Sequence, residues 1–123
     1  MKKILVIDDD LDLNMSIKDL LEDEGFRVIC AYDGREGLKL IEGQKPDLVI
    51  TDIVMPEVEG TEVVLDLANG KYGYFPKVIA MSGGGRVSGK DYLSFIKAFG
   101  VDFAFEKPFD TDEFMTAVKS LLA

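Results

Sequence analysis

A doubly wound α/β domain with five parallel strands is the fold this sequence predicts, and three observations predict it. Five short apolar runs are spread along 123 residues. The runs are mostly continuous rather than alternating, as in parallel strands covered on both faces. Between them the apolar spacing switches to a helical period, so each strand is followed by a helix. The length, residues 1–123, is that of one ordinary domain.

The elements follow in order. Ile4–Ile7 is the first strand, inside "KILVIDDD". Leu13, Ile17, Leu20 and Leu21 then form one apolar helix face, with Gly25 as its C-cap. Val28–Ala31 is the second strand. Asp33-Gly-Arg-Glu36 reads as a variant capping box, opening a short helix through Leu38 and Ile41. Leu48–Ile50 is the third strand, and its helix carries Val63, Val64, Leu67 and Ala68, closed by Gly70. Val78–Met81 is the fourth strand, followed by the glycine-rich "SGGGRVSG", read as a hinge, and a helix with Tyr92, Phe95, Ile96 and Phe99 on one face. Phe103–Phe105 is the fifth strand. Asp110 with Glu113 caps the last helix, whose buried face is Phe114, Val118 and Leu121. Phe95, Phe99, Phe103 and Phe105 read as core.

Composition narrows the function. The net charge is −9 with no basic block, which argues against direct nucleic-acid binding and against an anionic membrane surface. Ile4–Ile7 is far too short to span a bilayer, and the first residues do not read as a signal peptide. The one cysteine, Cys30, reads as a small buried hydrophobe, and the expectation is a soluble cytoplasmic domain. Histidine is absent, which removes Ser-His-Asp and Cys-His nucleophiles and histidine-held zinc. Any metal must therefore sit on oxygen, which points to magnesium, manganese or calcium.

In open parallel sheets ligands bind beyond the carboxyl ends of the strands. Asp8 and Asp9 follow the first strand, Asp52 the third, Ser82 the fourth and Lys107 the fifth. Carboxylates about 4 Å apart repel by about 4 kcal/mol per pair at an effective dielectric near 20. Such a cluster either takes up a proton or holds a cation, and a hard divalent ion such as Mg²⁺ fits best. Asp10 reads as the N-cap of the first helix. "SGGG" lacks the spacing of a P-loop or a dinucleotide fingerprint.

"VIDDD", "TDIVMPEVEG", "AMSGG" and "EKPF" stand in that order, each at a strand's carboxyl end. With them the chain resembles the receiver domain of bacterial two-component response regulators, close in architecture to the chemotaxis-type single-domain receiver. The resemblance covers nearly the whole chain and implies a flavodoxin-like (βα)5 sheet of order 2-1-3-4-5. It implies Asp52 as phosphoacceptor, and Asp9 as direct ligand of Mg²⁺ or Mn²⁺ together with Asp52 and the backbone carbonyl of Val54. Asp8 would act beside them through water. Ser82 would hydrogen-bond the phosphoryl group and Lys107 would pair with the acyl phosphate, while Met55-Pro56 and Gly60 match the loop after the acceptor. The donor would be a phosphohistidine on a sensor histidine kinase or a histidine phosphotransfer protein. The output would be a downstream protein target or a further output domain, since no effector domain fits within this length. Such a chain is a switch that catalyses its own phosphorylation and slow hydrolysis rather than a conventional enzyme. A receiver-like adaptor that binds partners without phosphorylation is the alternative. A phosphatase on this fold would need an acid where Val54 stands, and a flavin carrier would need hydroxyls where the three aspartates stand.

The sequence departs from that family at two places. Ala104 occupies the position where receivers carry a switch Tyr or Phe, and strand alternation turns Phe103 and Phe105 away from it. Activation is then expected to run through the glycine-rich loop and Ser82, or through a different output surface. Val54 and Gly84 cannot orient a water, so the resemblance implies a long-lived acyl phosphate.

Overall fold

The computed structural model describes residues 1–53, 60–83 and 100–123. The helix expected over 92–99, together with Val54, Met55, Pro56 and Gly84, lies outside them. The order of the described elements is β1 (Lys3–Ile7), α1 (Leu11–Asp23), β2 (Arg27–Ala31), α2 (Gly34–Gln44), β3 (Leu48–Asp52), α3 (Gly60–Ala68), β4 (Lys77–Gly83), β5 (Phe103–Lys107) and a C-terminal helix (Thr111–Leu122). All five strands are parallel in the order β2-β1-β3-β4-β5, as expected. None of the described helices is long and apolar enough to cross a membrane.

Alternation along each strand divides the core between the two faces of the sheet. Leu5 and Ile7 of β1 point to one side, where Val49, Ala80 and Val78 meet Ile41 of α2 and Val63, Val64 and Leu67 of α3. Ile4 and Val6 point to the other, where Ile50, Ile79 and Met81 meet Ile17 and Leu21 of α1 and Phe114 and Val118 of the C-terminal helix. Both faces being covered explains why the strand runs are apolar without a break. Phe109 stacks on Phe114 with ring centroids 4.8 Å apart, and Phe105 meets Phe114 edge-on at 5.7 Å.

Helix ends follow the capping rules. Asp10, Asp33 and Asp110 each accept a hydrogen bond from the backbone N–H three residues on, at 3.1, 2.7 and 3.0 Å. Glu36 does not bond back to Asp33. It accepts from the N–H of Tyr32 at 3.2 Å, one residue earlier than a capping box requires. Glu24 is the C-cap of α1, and Gly25, at φ +92°, takes the left-handed position that follows it.

Several expectations need correction. β3, β4 and β5 run on through Asp52, Gly83 and Lys107, so Asp52, Ser82 and Lys107 are the last or next-to-last residues of strands rather than loop residues. Ala68, the final residue of α3, is exposed, and Cys30 is only half-buried. Phe103 is exposed because β5 is the edge of the sheet.

Gly37 of α2 sits directly on β1. A Cβ there would lie 2.5 Å from Ile7 Cδ1 and 3.0 Å from Ile7 Cγ1. Ile7 is fully buried, so it has little room to turn away. Gly37→Ala gains about 1 kcal/mol in helix propensity and loses about 1–3 kcal/mol to overpacking. The expected net is a loss of about 1 kcal/mol in denaturant unfolding. Adding Ile7→Val, which removes Cδ1, should recover most of it; simple additivity of the two changes would show that no clash exists.

Candidate functional site

The site forms where the strand ladders end. Ile7 pairs with Ala31 on one side and with Thr51 on the other, so Asp8 emerges from the centre of the sheet beside Asp52 at the end of β3. Asp8 is fully buried and Asp52 is 6% exposed, whereas Asp9, one residue further, is exposed. Asp8, Asp9 and Asp52 can each present one carboxylate oxygen such that all three lie within 4.8 Å of one another. Ser82, at the end of β4, is fully buried.

Lys107 comes from β5, two strands away from β3, across about 10 Å of sheet. Only a long cationic side chain covers that gap. Its Nζ lies 2.7 Å from Asp8 Oδ2 and 3.0 Å from Asp52 Oδ2, bridging the two acids. The Lys107–Pro108 peptide that follows is cis. Asp8 also accepts from the N–H of Asp10 at 2.9 Å, which orients its carboxylate.

Three carboxylates and one ammonium leave the cluster with excess negative charge. Burial pushes the Asp8 carboxyl above its ordinary value, although hydrogen bonds from Lys107 and Asp10 pull the other way. Burial would also lower the Lys107 ammonium. Its bonds to Asp8 and Asp52 outweigh that and raise it above its usual value. The two shifts pull the ion pair in opposite directions. The lysine stays charged, because both its partners favour that form, and the strain of ionisation falls on Asp8.

Folded Asp8 holds its proton to higher pH than the unfolded chain does, so this group's contribution is most favourable at acid pH. It weakens as pH rises through and above the ordinary value of 3.8. Lys107 has the converse window: its contribution is present below the ordinary value of 10.5 and is lost only above it. Metal-free Asp8→Asn is therefore expected to melt a few degrees above the wild type at neutral pH, on the order of 1 kcal/mol. The gap should close as pH falls toward the carboxylate range. Equal melting temperatures at both pH values would show that Asp8 is not strained.

The donor set suits a hard divalent cation. It consists of oxygen alone, and direct ligands of an octahedral Mg²⁺ lie at most about 4.2 Å apart. A spread of 4.8 Å is therefore closed by a small contraction or by one acid acting through water. Asp8, already held by Lys107 and by a backbone N–H, is the acid best suited to the water-bridged place.

Of the residues singled out in the sequence, Asp8, Asp9, Asp52 and Lys107 come together, and Ser82 is the next-to-last residue of β4, the strand between β3 and β5. Val54, expected to offer its carbonyl, lies outside the described residues. Ala104 packs toward the α2 and α3 side of the sheet, while Phe105 packs toward α1 and the C-terminal helix and lies beside Phe103 at 6.4 Å. The two phenylalanines thus share the face opposite Ala104, as alternation predicts.

One residue of the site was missed. Asn14 of α1 is fully buried, and its Nδ2 donates to the backbone carbonyls of Asp8 at 3.1 Å and Ala31 at 2.9 Å. Its position was readable as a polar residue interrupting the stripe of Asn14, Ile17 and Leu21, all three of which are buried.

Comparison with known proteins agrees with this geometry. A family model described as the response regulator receiver domain matches residues 4–119. The chain is 35% identical over 125 residues to the alkaline phosphatase synthesis transcriptional regulatory protein PhoP of Bacillus subtilis, covering 98% of this chain and 48% of that protein. It spans about half the length of the curated relatives it matches. The receiver domain of the Francisella response regulator 1452 superposes with a TM-score of 0.87 at 30% identity, covering 98% of this chain and 96% of that one. The response regulator TrrA of Thermotoga maritima, solved in complex with Mg²⁺–BeF, superposes with a TM-score of 0.82 at 33% identity, covering 98% and 99%.

Proposed function

The chain belongs to the response regulator receiver domain family, and from that premise we propose that it is a phosphoryl-accepting switch with Asp52 as acceptor. The carrying observation is the convergence of Asp8, Asp9 and Asp52 within 4.8 Å, with Lys107 bridging Asp8 and Asp52. A carboxylate is nucleophilic at neutral pH without a general base, which suits a chain with no histidine. An Asp52 oxygen attacks phosphorus and the P–N bond to a phosphohistidine breaks. Its electron pair returns to the imidazole of the donor, a histidine kinase or a phosphotransfer protein.

Asp9, Asp52 and the carbonyl of Val54 would hold Mg²⁺ or Mn²⁺, with Asp8 bonding through water. The bound ion would supply positive charge to the phosphoryl oxygens. Lys107 supplies a second positive charge: its ammonium, shared between two carboxylates before transfer, pairs with the acyl phosphate afterwards. Ser82 donates its hydroxyl to a phosphoryl oxygen. The consequence is a change in protein contacts, either with a separate target or with an output domain of a longer regulator; PhoP, about twice as long, is a transcriptional regulatory protein. A kinase-fed switch of this kind belongs in the cytoplasm.

Intact mass after incubation with acetyl phosphate tests the reading. One added phosphoryl group that requires Mg²⁺ is expected. No addition under any condition would overturn it and favour an adaptor that binds partners unphosphorylated. With Val54 and Gly84 unable to orient water, the adduct is expected to outlast minutes. Decay within seconds in Mg²⁺ would refute that lifetime.

A further inference from the structure

We propose that Asn14 is the positioning residue of the acid pair, clamping the Asp8–Asp9 peptide so that both carboxylates face one cation; the inference rests on the Mg²⁺ site just described. Asn14 stands in the first turns of α1, where asparagine is a poor helix former. It is fully buried, and both of its hydrogen-bond partners are carbonyl oxygens, so chemistry alone fixes the amide with its NH₂ toward the sheet. Its Oδ1 is left without a hydrogen-bond partner among the described residues, which is an unfavourable arrangement in a buried place.

Two local rules are thus broken by one side chain, and the compensating gain sits at the end of β1. The Asp8 carbonyl belongs to the peptide that joins Asp8 to Asp9. Fixing that plane fixes the direction in which the two side chains leave it. The Ala31 carbonyl, which accepts from Asn14, also accepts from the N–H of Asp8 at 3.1 Å, so the amide ties both flanks of Asp8 to β2. A serine or threonine offers one donor, a glutamine is a methylene too long, and a cation would be buried uncompensated. Asparagine alone gives two neutral N–H groups at this reach.

Calorimetric Mg²⁺ titration and metal-free melting of the wild type, Asn14→Leu, Asn14→Ala and Ile41→Val test the assignment. Leucine keeps the branching of asparagine with somewhat greater bulk and removes the unpartnered oxygen, alanine leaves a cavity, and Ile41→Val is a core cavity on the opposite face of the sheet. Both Asn14 variants are expected to bind Mg²⁺ about tenfold more weakly or worse, alike despite different melting temperatures. Ile41→Val should bind like the wild type whatever its melting temperature. Wild-type affinity in Asn14→Leu, affinity that tracks melting temperature across all variants, or failure of both Asn14 variants to fold would each overturn the assignment. A wild type that binds no Mg²⁺ would instead sink the proposed function, and this inference with it.

Discussion

Asp52→Asn is expected to take up no phosphoryl group from acetyl phosphate at any Mg²⁺ concentration, while folding more stably than the wild type without metal. The two effects have one cause. Asp52 is nearly buried, shares a site with Asp8 and Asp9, and is bridged to Asp8 by the Lys107 ammonium. Asparagine keeps the shape and removes both the nucleophilic oxygen pair and one repelling charge. A net gain on the order of 1 kcal/mol in metal-free denaturation is expected, because the relief of carboxylate repulsion is largely offset by the weakened bond to Lys107. Uptake at an undiminished rate, mapped by peptide mass to Asp9 or another residue, would move the acceptor. Loss of uptake with loss of stability would suggest a damaged fold rather than a missing nucleophile.

Lys107→Met carries the second large effect, opposite in sign. Methionine retains the unbranched stem and so keeps most of the packing, but Asp8 and Asp52 lose the cation between them. Breaking a buried pair by removing one partner costs about 3–5 kcal/mol. The exposure of Asp9 and the partial exposure of Lys107 lower the expected loss to about 2–4 kcal/mol, still set by the uncompensated charge. Two conditions should restore stability: lower pH, as Asp8 takes a proton, and Mg²⁺, which should stabilise this variant more than it does the wild type. Phosphoryl uptake should stay low even with Mg²⁺. A methionine variant as stable as the wild type, and indifferent to Mg²⁺, would show that the bridge contributes nothing.

Most of the sheet was legible in the sequence because parallel strands covered on both faces are apolar throughout, and Ile4–Ile7 or Val78–Met81 have no other easy reading. The ends of the strands were not. At Thr51-Asp52, Ser82-Gly83 and Glu106-Lys107 the ladder continues after the apolar pattern stops. Polar residues that finish a strand look like the start of a loop, and in this fold they line the candidate site. Asp8, Asp9, Asp52 and Lys107, which the structure brings together, stood out because their motifs follow one another in strand order. Asn14 was not, because one polar residue on an apolar helix face reads as noise until its two carbonyl partners are seen. Phe103 was misread for a different reason: an edge strand exposes a residue that a central strand would bury.

Lys107 reaches Asp8 across 99 residues of chain and Asp52 across 55. No fragment that stops short of β5 can therefore assemble the charge pattern, however well its first strands pair. A chain still emerging during synthesis would carry Asp8, Asp9 and Asp52 for most of its length with no ammonium to oppose them. The balance of charge at the sheet edge thus depends on synthesis having passed β5. In urea, bound Mg²⁺ should move the unfolding midpoint without changing its slope, since the acids come together in the folded sheet and not in the unfolded chain.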